Sequence, residues 1–219
     1  MRAIRKPVVV VAGEDRNDRQ VLRVLLEEFC PNMRGRIVEM AKSVPLRIAS
    51  ADTLGERVRK LARFAKARAE RERADLACVF IHEDLDRPGG GEEHATVLRR
   101  VQDALHREFA TAHYVLATAE TEAWLLLFPD ALAGYAVGWS LPRRYHGCDT
   151  AQLGDPKRIM MNDVSRSGRT YRESDAPDVI AKAVDTGAVH TPSGTNQSWT
   201  QLRDDVSACC ESHLTSARR

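Results

Sequence analysis

Residues 7–12 read Pro-Val-Val-Val-Val-Ala, an unbroken β-branched run bounded by Pro7 and by the acidic stretch Gly13-Glu14-Asp15. A run of that kind predicts a strand covered on both faces, because a half-exposed strand alternates apolar and polar residues. Working outward, residues 17–29 place Val21, Leu22, Val24, Leu25, Leu26 and Phe29 at helical spacing, and Pro31 stops them. Two further runs resemble the first: residues 75–82 (DLACVFIH) and 112–118 (AHYVLAT). Between them, residues 53–73 and 92–110 carry apolar stripes of helical period, and a weaker extended segment is read at 44–49 (VPLRIA). Strand–helix–strand units repeated in this way predict an α/β fold, a parallel sheet covered by helices on both faces.

The chain has 219 residues, enough for one large domain or a core with an appendage, and needs neither metal nor disulfide to build a core. We place the α/β domain at 1–128. Residues 129–219, rich in Gly, Pro, Arg and Ser at their start, read as a loop-rich extension with short helices near 176–185 and 198–212. With 33 basic and 31 acidic side chains the net charge is +2, so whole-molecule charge announces neither nucleic acid nor membrane. No stretch is apolar enough to span a bilayer, and no apolar leader precedes the first strand. Five cysteines (30, 78, 148, 209, 210) show no framework spacing, and they read as buried or idle thiols in a reduced, cytoplasmic protein.

In open parallel sheets, ligands bind where strands end. The three best strands end in Glu14-Asp15-Arg16-Asn17-Asp18, in Glu83-Asp84-Leu85-Asp86 and in Glu120-Thr121-Glu122. Three acidic clusters at one sheet edge repel one another unless a cation lies among them, and oxygen donors suit Mg²⁺ or Mn²⁺. The plainer account is that Asp15 or Asn17 caps the 17–29 helix. It explains one cluster better than it explains three. The Pro88-Gly-Gly-Gly91 loop lacks the lysine of a phosphate-binding loop, although a phosphate backbone could approach it.

An acidic residue after the first strand with another four positions later, and an Asp-x-Asp after a later strand, resemble the TOPRIM fold of topoisomerases, primases and the overcoming-lysogenization-defect nucleases. The resemblance is closest to a bacterial family of TOPRIM-like proteins found beside ATPase genes in defence loci. It extends through Glu120-x-Glu122-Ala-Trp124, Asp155-Pro-Lys157, Tyr171-Arg-Glu173 and Ser198-Trp199-x-x-Leu202. It implies Glu14 as the general acid/base and Asp84, Asp86, Asp18 and Glu122 as ligands of Mg²⁺ (or Mn²⁺), with Glu14 also touching the metal. Arg87 and Lys157 are candidate contacts to substrate phosphate.

The implied function is a metal-dependent nuclease acting on DNA or RNA, with an ATPase partner in anti-phage defence and a homo-oligomer left open. One departure motivates a second reading. The family places Gly directly after the glutamate, whereas here Asp15 follows Glu14 and Gly13 precedes it. The second reading is a non-catalytic binding or assembly subunit of an ATPase complex. A third is a phosphatase or nucleotide hydrolase using the same acids.

Overall fold

The computed structural model describes residues 5–89 and 91–214. It is an α/β fold whose sheet has the order β2-β1-β3-β4. Strand β1 (Pro7–Ala12) and strand β3 (Asp75–Asp84) occupy its centre, flanked by β2 (Ile37–Met40) and β4 (Ala112–Ala117). β1 runs parallel to both neighbours, pairing Val9 with Ile37 on one side and Ala12 with Ile81 on the other. Val8 to Ala12 and Ala77 to Glu83 are buried throughout, so the continuous apolar runs do mark the doubly covered central strands.

The helices between the strands are α1 (Arg16–Phe29), α2 (Ala51–Arg71) and α3 (Glu92–His106). The later part carries α4 (Glu122–Leu125), α5 (Pro129–Tyr135), α6 (Pro156–Ile159), α7 (Ala176–Asp185) and α8 (Gln197–Cys209). No described helix is long and apolar enough to cross a membrane.

Two sequence readings need correction. The extended segment at 44–49 is not a strand, and the edge strand is Ile37–Met40 instead. The backbone N–H groups of Leu46 and Arg47 donate to the Glu83 carboxylate at 2.6 and 2.7 Å, and Pro45 has none to give. The segment's ladder bonds are therefore spent on a side chain. The cysteines are not idle either, because Cys30 pairs with Cys210 and Cys78 with Cys209, leaving Cys148 as the free thiol. Cα separations of 6.0 and 6.6 Å suit such bonds. Neighbouring residues at a helical end point roughly 100° apart, so Cys209 and Cys210 reach different elements, β3 and the C-cap of α1.

Compactness divides the chain differently from composition. One unit takes the residues up to Glu83, 95–115 and those from Leu202 onward; the other takes Asp84–His94 and Leu116–Gln201. The second unit has its own aromatic core. Trp199 meets Trp124 and Phe128 edge-on at 5.8 and 5.1 Å, and Trp139 meets Tyr171 at 6.0 Å. Trp124 is thus a packing residue.

A buried hydroxyl ties this core together. Ser198 Oγ accepts from Trp124 Nε1 (2.9 Å) and Thr118 N (3.1 Å) and donates to Asn196 Oδ1 (2.7 Å). Ser198→Ala leaves two buried donors without that acceptor. At about 1–3 kcal/mol for each such group, urea denaturation should register a loss of about 2 kcal/mol or more. A loss under about 0.5 kcal/mol, the size of an ordinary surface change, would mean the hydroxyl is not the tie.

Candidate functional site

In the first unit, Glu14 is exposed directly after β1. Asp15 is the N-cap of α1: its Oδ1 accepts from Asp18 N at 3.0 Å, and Asp18 Oδ2 accepts from Asp15 N at 3.1 Å. This reciprocal pair satisfies two of the helix's orphan donors. The capping account weighed for Asp15 is therefore what the chain does, and Asp18 spends one oxygen on it. The other, Oδ1, lies 3.8 Å from His82 Nδ1. Gly13 is required two residues earlier than the family pattern has its glycine. A Cβ there would sit 2.9 Å from Asp18 Cβ, so the strand end could not pass the first turn of α1.

His82 is buried, and that burial pushes its pKa down against the raising influence of Asp18, Glu83 and Asp15. It is a neutral imidazole at neutral pH. Glu83 is equally buried and accepts three donors, Leu46 N, Arg47 N and the Tyr114 hydroxyl. Burial, then the Glu83 charge, push the Tyr114 hydroxyl well above its ordinary range, so it stays a donor. Glu83 is thus an anchor for the 44–47 segment. In the sequence it counts only as a member of the second acidic cluster; Arg87, close by, pairs with Glu93 at 3.2 Å.

The second unit holds the Asp-x-Asp. Asp84 ends β3 and accepts from Thr121 Oγ1 at 3.2 Å. The segments after β3 and β4 are then stitched backbone to backbone. Leu85 N donates to Ala117 O (2.9 Å), Asp86 N to Ala119 O (2.7 Å) and Ala119 N to Arg87 O (3.0 Å). Asp86 (φ 59°) and Ala119 (φ 62°) both stand in the left-handed region. Aspartate tolerates that conformation and alanine does so at a cost of about 1–2 kcal/mol, so the stitch holds strained backbone in place.

Glu120 is half-buried and accepts from Lys157 N at 3.2 Å. Burial raises its pKa; Lys157 opposes this, and the charges of Asp155 and Asp86 add to it. Glu122 is more deeply buried and accepts from the Tyr171 hydroxyl at 3.0 Å. Its carboxyl is raised chiefly by burial, with Glu120 adding and its own backbone N–H, Tyr171 and Lys157 opposing. Lys157 Nζ pairs with Glu173, so both substrate candidates, Arg87 and Lys157, already have carboxylate partners. Asp155 caps α6 through Arg158 N at 2.8 Å.

The second unit therefore gathers Asp86, Glu120 and Asp155 into one field of like charge, with Asp84 tied alongside through Thr121. All the donors are oxygens, the chemistry a hard divalent cation requires. Among the described residues, Asp84, Asp86 and Glu120 do not close to within 4.8 Å of one another as a set of metal ligands. Glu122, the ligand implied by resemblance, has one oxygen on Tyr171, whereas Glu120 was passed over although it is the more exposed of the two and the one that feels Asp86.

A raised carboxyl pKa has a definite stability signature. The Glu122 contribution is fully present below its ordinary value of 4.5 and is lost as pH rises through the higher folded value. Without divalent metal, Glu122→Gln should melt above wild type at pH 7 and level with it at pH 4. A variant that melts lower at pH 7 would contradict the assignment.

No family model, no curated protein and no solved structure matches the chain. What the chain does rests on its own residues.

Proposed function

We propose that the chain is a metal-dependent, TOPRIM-like phosphodiester hydrolase of DNA or RNA, working in the cytoplasm with an ATPase partner in anti-phage defence. The observation that supports it best is that Asp84, Asp86 and Glu120 lie on two segments stitched by backbone bonds, with the Asp86 charge raising the Glu120 carboxyl. Asp84 and Asp86 would hold Mg²⁺ or Mn²⁺, with Glu120 as a third donor. Bound there, the ion supplies Lewis acidity toward a phosphate oxygen and lowers the pKa of water. Thr121 orients Asp84 through its hydroxyl. The fixed backbone at Asp86 sets the direction of its carboxylate. Lys157 and Arg87 would exchange their carboxylate partners for substrate phosphate. The proton-moving role of Glu14, exposed after β1 in the first unit, rests on the resemblance alone.

A non-catalytic assembly subunit is the second reading, and one observation favours it. Asp15 and Asp18 are engaged in capping α1, which is structural employment for two members of the first acidic motif. Incubating the purified chain with single- and double-stranded DNA and RNA separates the two. Cleavage that needs Mg²⁺ or Mn²⁺, stops with chelator and is lost in Glu14→Gln supports the hydrolase. No cleavage, with metal-independent binding to an ATPase, moves the assembly subunit to first place.

A further inference from the structure

Two cysteines and a histidine meet in the first unit, and the hydrolase reading uses none of them. Cys78 lies in the middle of β3, Cys209 ends α8 and His113 is in β4; both sulfurs are buried. The two Sγ atoms and a ring nitrogen of His113 all lie within 4.8 Å of one another. Thiolates sharing a tetrahedral Zn²⁺ at bonds of about 2.3 Å stand about 3.8 Å apart, so the two sulfurs, bonded to each other here, separate on reduction to hold the ion.

The histidine is also arranged as a ligand. Its ring stacks on Phe80 at 4.7 Å and 16°, which fixes its plane. Its Nδ1 lies 3.3 Å from Asp205 Oδ1, the carboxylate–histidine relation that orients metal-binding imidazoles. Asp205 Oδ2 is buried and has no hydrogen-bond partner among the described residues. A disulfide between Cys78 and Cys209 makes no use of a histidine so held.

We propose that the reduced chain binds one Zn²⁺ through Cys78, Cys209 and His113, so that this place holds either a disulfide or a metal ion according to redox state. A dithiol reductant delivers two electrons and two protons to the Cys78–Cys209 bond and is itself oxidised to a disulfide, leaving two thiols. Zn²⁺ then replaces the two thiol protons, which pass to solvent, and takes Nε2 of the His113 imidazole while Nδ1 stays on Asp205. Soft sulfur donors select Zn²⁺ here. In either state the end of α8 is tied to β3, and in a reducing compartment the ion does what the disulfide does under oxidising conditions.

The test uses the whole chain, oxidised and fully reduced, with free reductant removed anaerobically. Bound zinc is released and measured with a chromophoric chelator, and Co²⁺ serves as a spectroscopic probe for thiolate-to-metal charge transfer. One ion per reduced chain and none per oxidised chain is the expected result. Cys78→Ser and Cys209→Ser should abolish the cobalt band, Cys148→Ser should keep it, and Asp205→Asn should weaken zinc binding about 10–100-fold. Circular dichroism checks that each variant folds, and the oxidised–reduced comparison of the unaltered chain decides the matter without them. Reduced, folded chain that takes up no zinc, or Cys209→Ser that binds it as tightly, would overturn the proposal.

Discussion

Reducing both disulfides in the presence of a metal chelator should lower the thermal midpoint by roughly 10 °C or more. The bonds close sequence separations of 180 and 131 residues, large enough for a substantial effect on the unfolded chain. They are not independent. Cys209 and Cys210 are adjacent, so once Cys78–Cys209 has closed, the second bond closes an effective loop of only ~50 residues. Even with that discount, two bonds at about 2–4 kcal/mol each, read against about 2–4 °C per kcal/mol for a chain of this size, give a shift well outside measurement error. Calorimetry with and without a thiol reductant measures it. Alkylation of the unfolded, unreduced chain should modify Cys148 and no other cysteine. Five modified cysteines and an unmoved midpoint would show that the pairs do not form in solution.

The second large effect belongs to the Asp-x-Asp. Asp84→Asn with Asp86→Asn should lower metal-dependent cleavage at least about a hundredfold, since loss of even an outer-shell partner costs about 10–100-fold. Asparagine is the informative replacement for two reasons. It keeps an acceptor for Thr121 at position 84, and it tolerates the left-handed backbone at position 86, where alanine would add strain. The double variant should therefore keep its circular dichroism and its midpoint. Full cleavage by a folded double variant would remove the acids from the mechanism.

The central strands β1 and β3 were legible because burial on both faces leaves an apolar run, and the flanking strand β4 shows one broken only by His113. β2 was not. It has four residues with a glutamate among them, while residues 44–49 look more strand-like only because Val44, Leu46 and Ala49 are buried beneath a loop that Glu83 pins. The acids themselves were equally legible, but their partners were not. Glu83 bonds residues 36 and 37 positions away, Glu122 meets Tyr171 across 49, and the disulfides span more than a hundred. Local pattern carries no signal for pairings at that range. The second unit had a partial signal in the order of its motifs, and Ser198, Trp199 and Tyr171 prove to be its core and its ties.

The central claim is that Asp84 and Asp86 hold a divalent cation. Calorimetric titration of Mg²⁺ and Mn²⁺ into the chain, beside the double asparagine variant, tests it most directly. The account expects binding to the wild-type chain that disappears in the variant. Unchanged binding in the variant, or none to the wild-type chain, would contradict it.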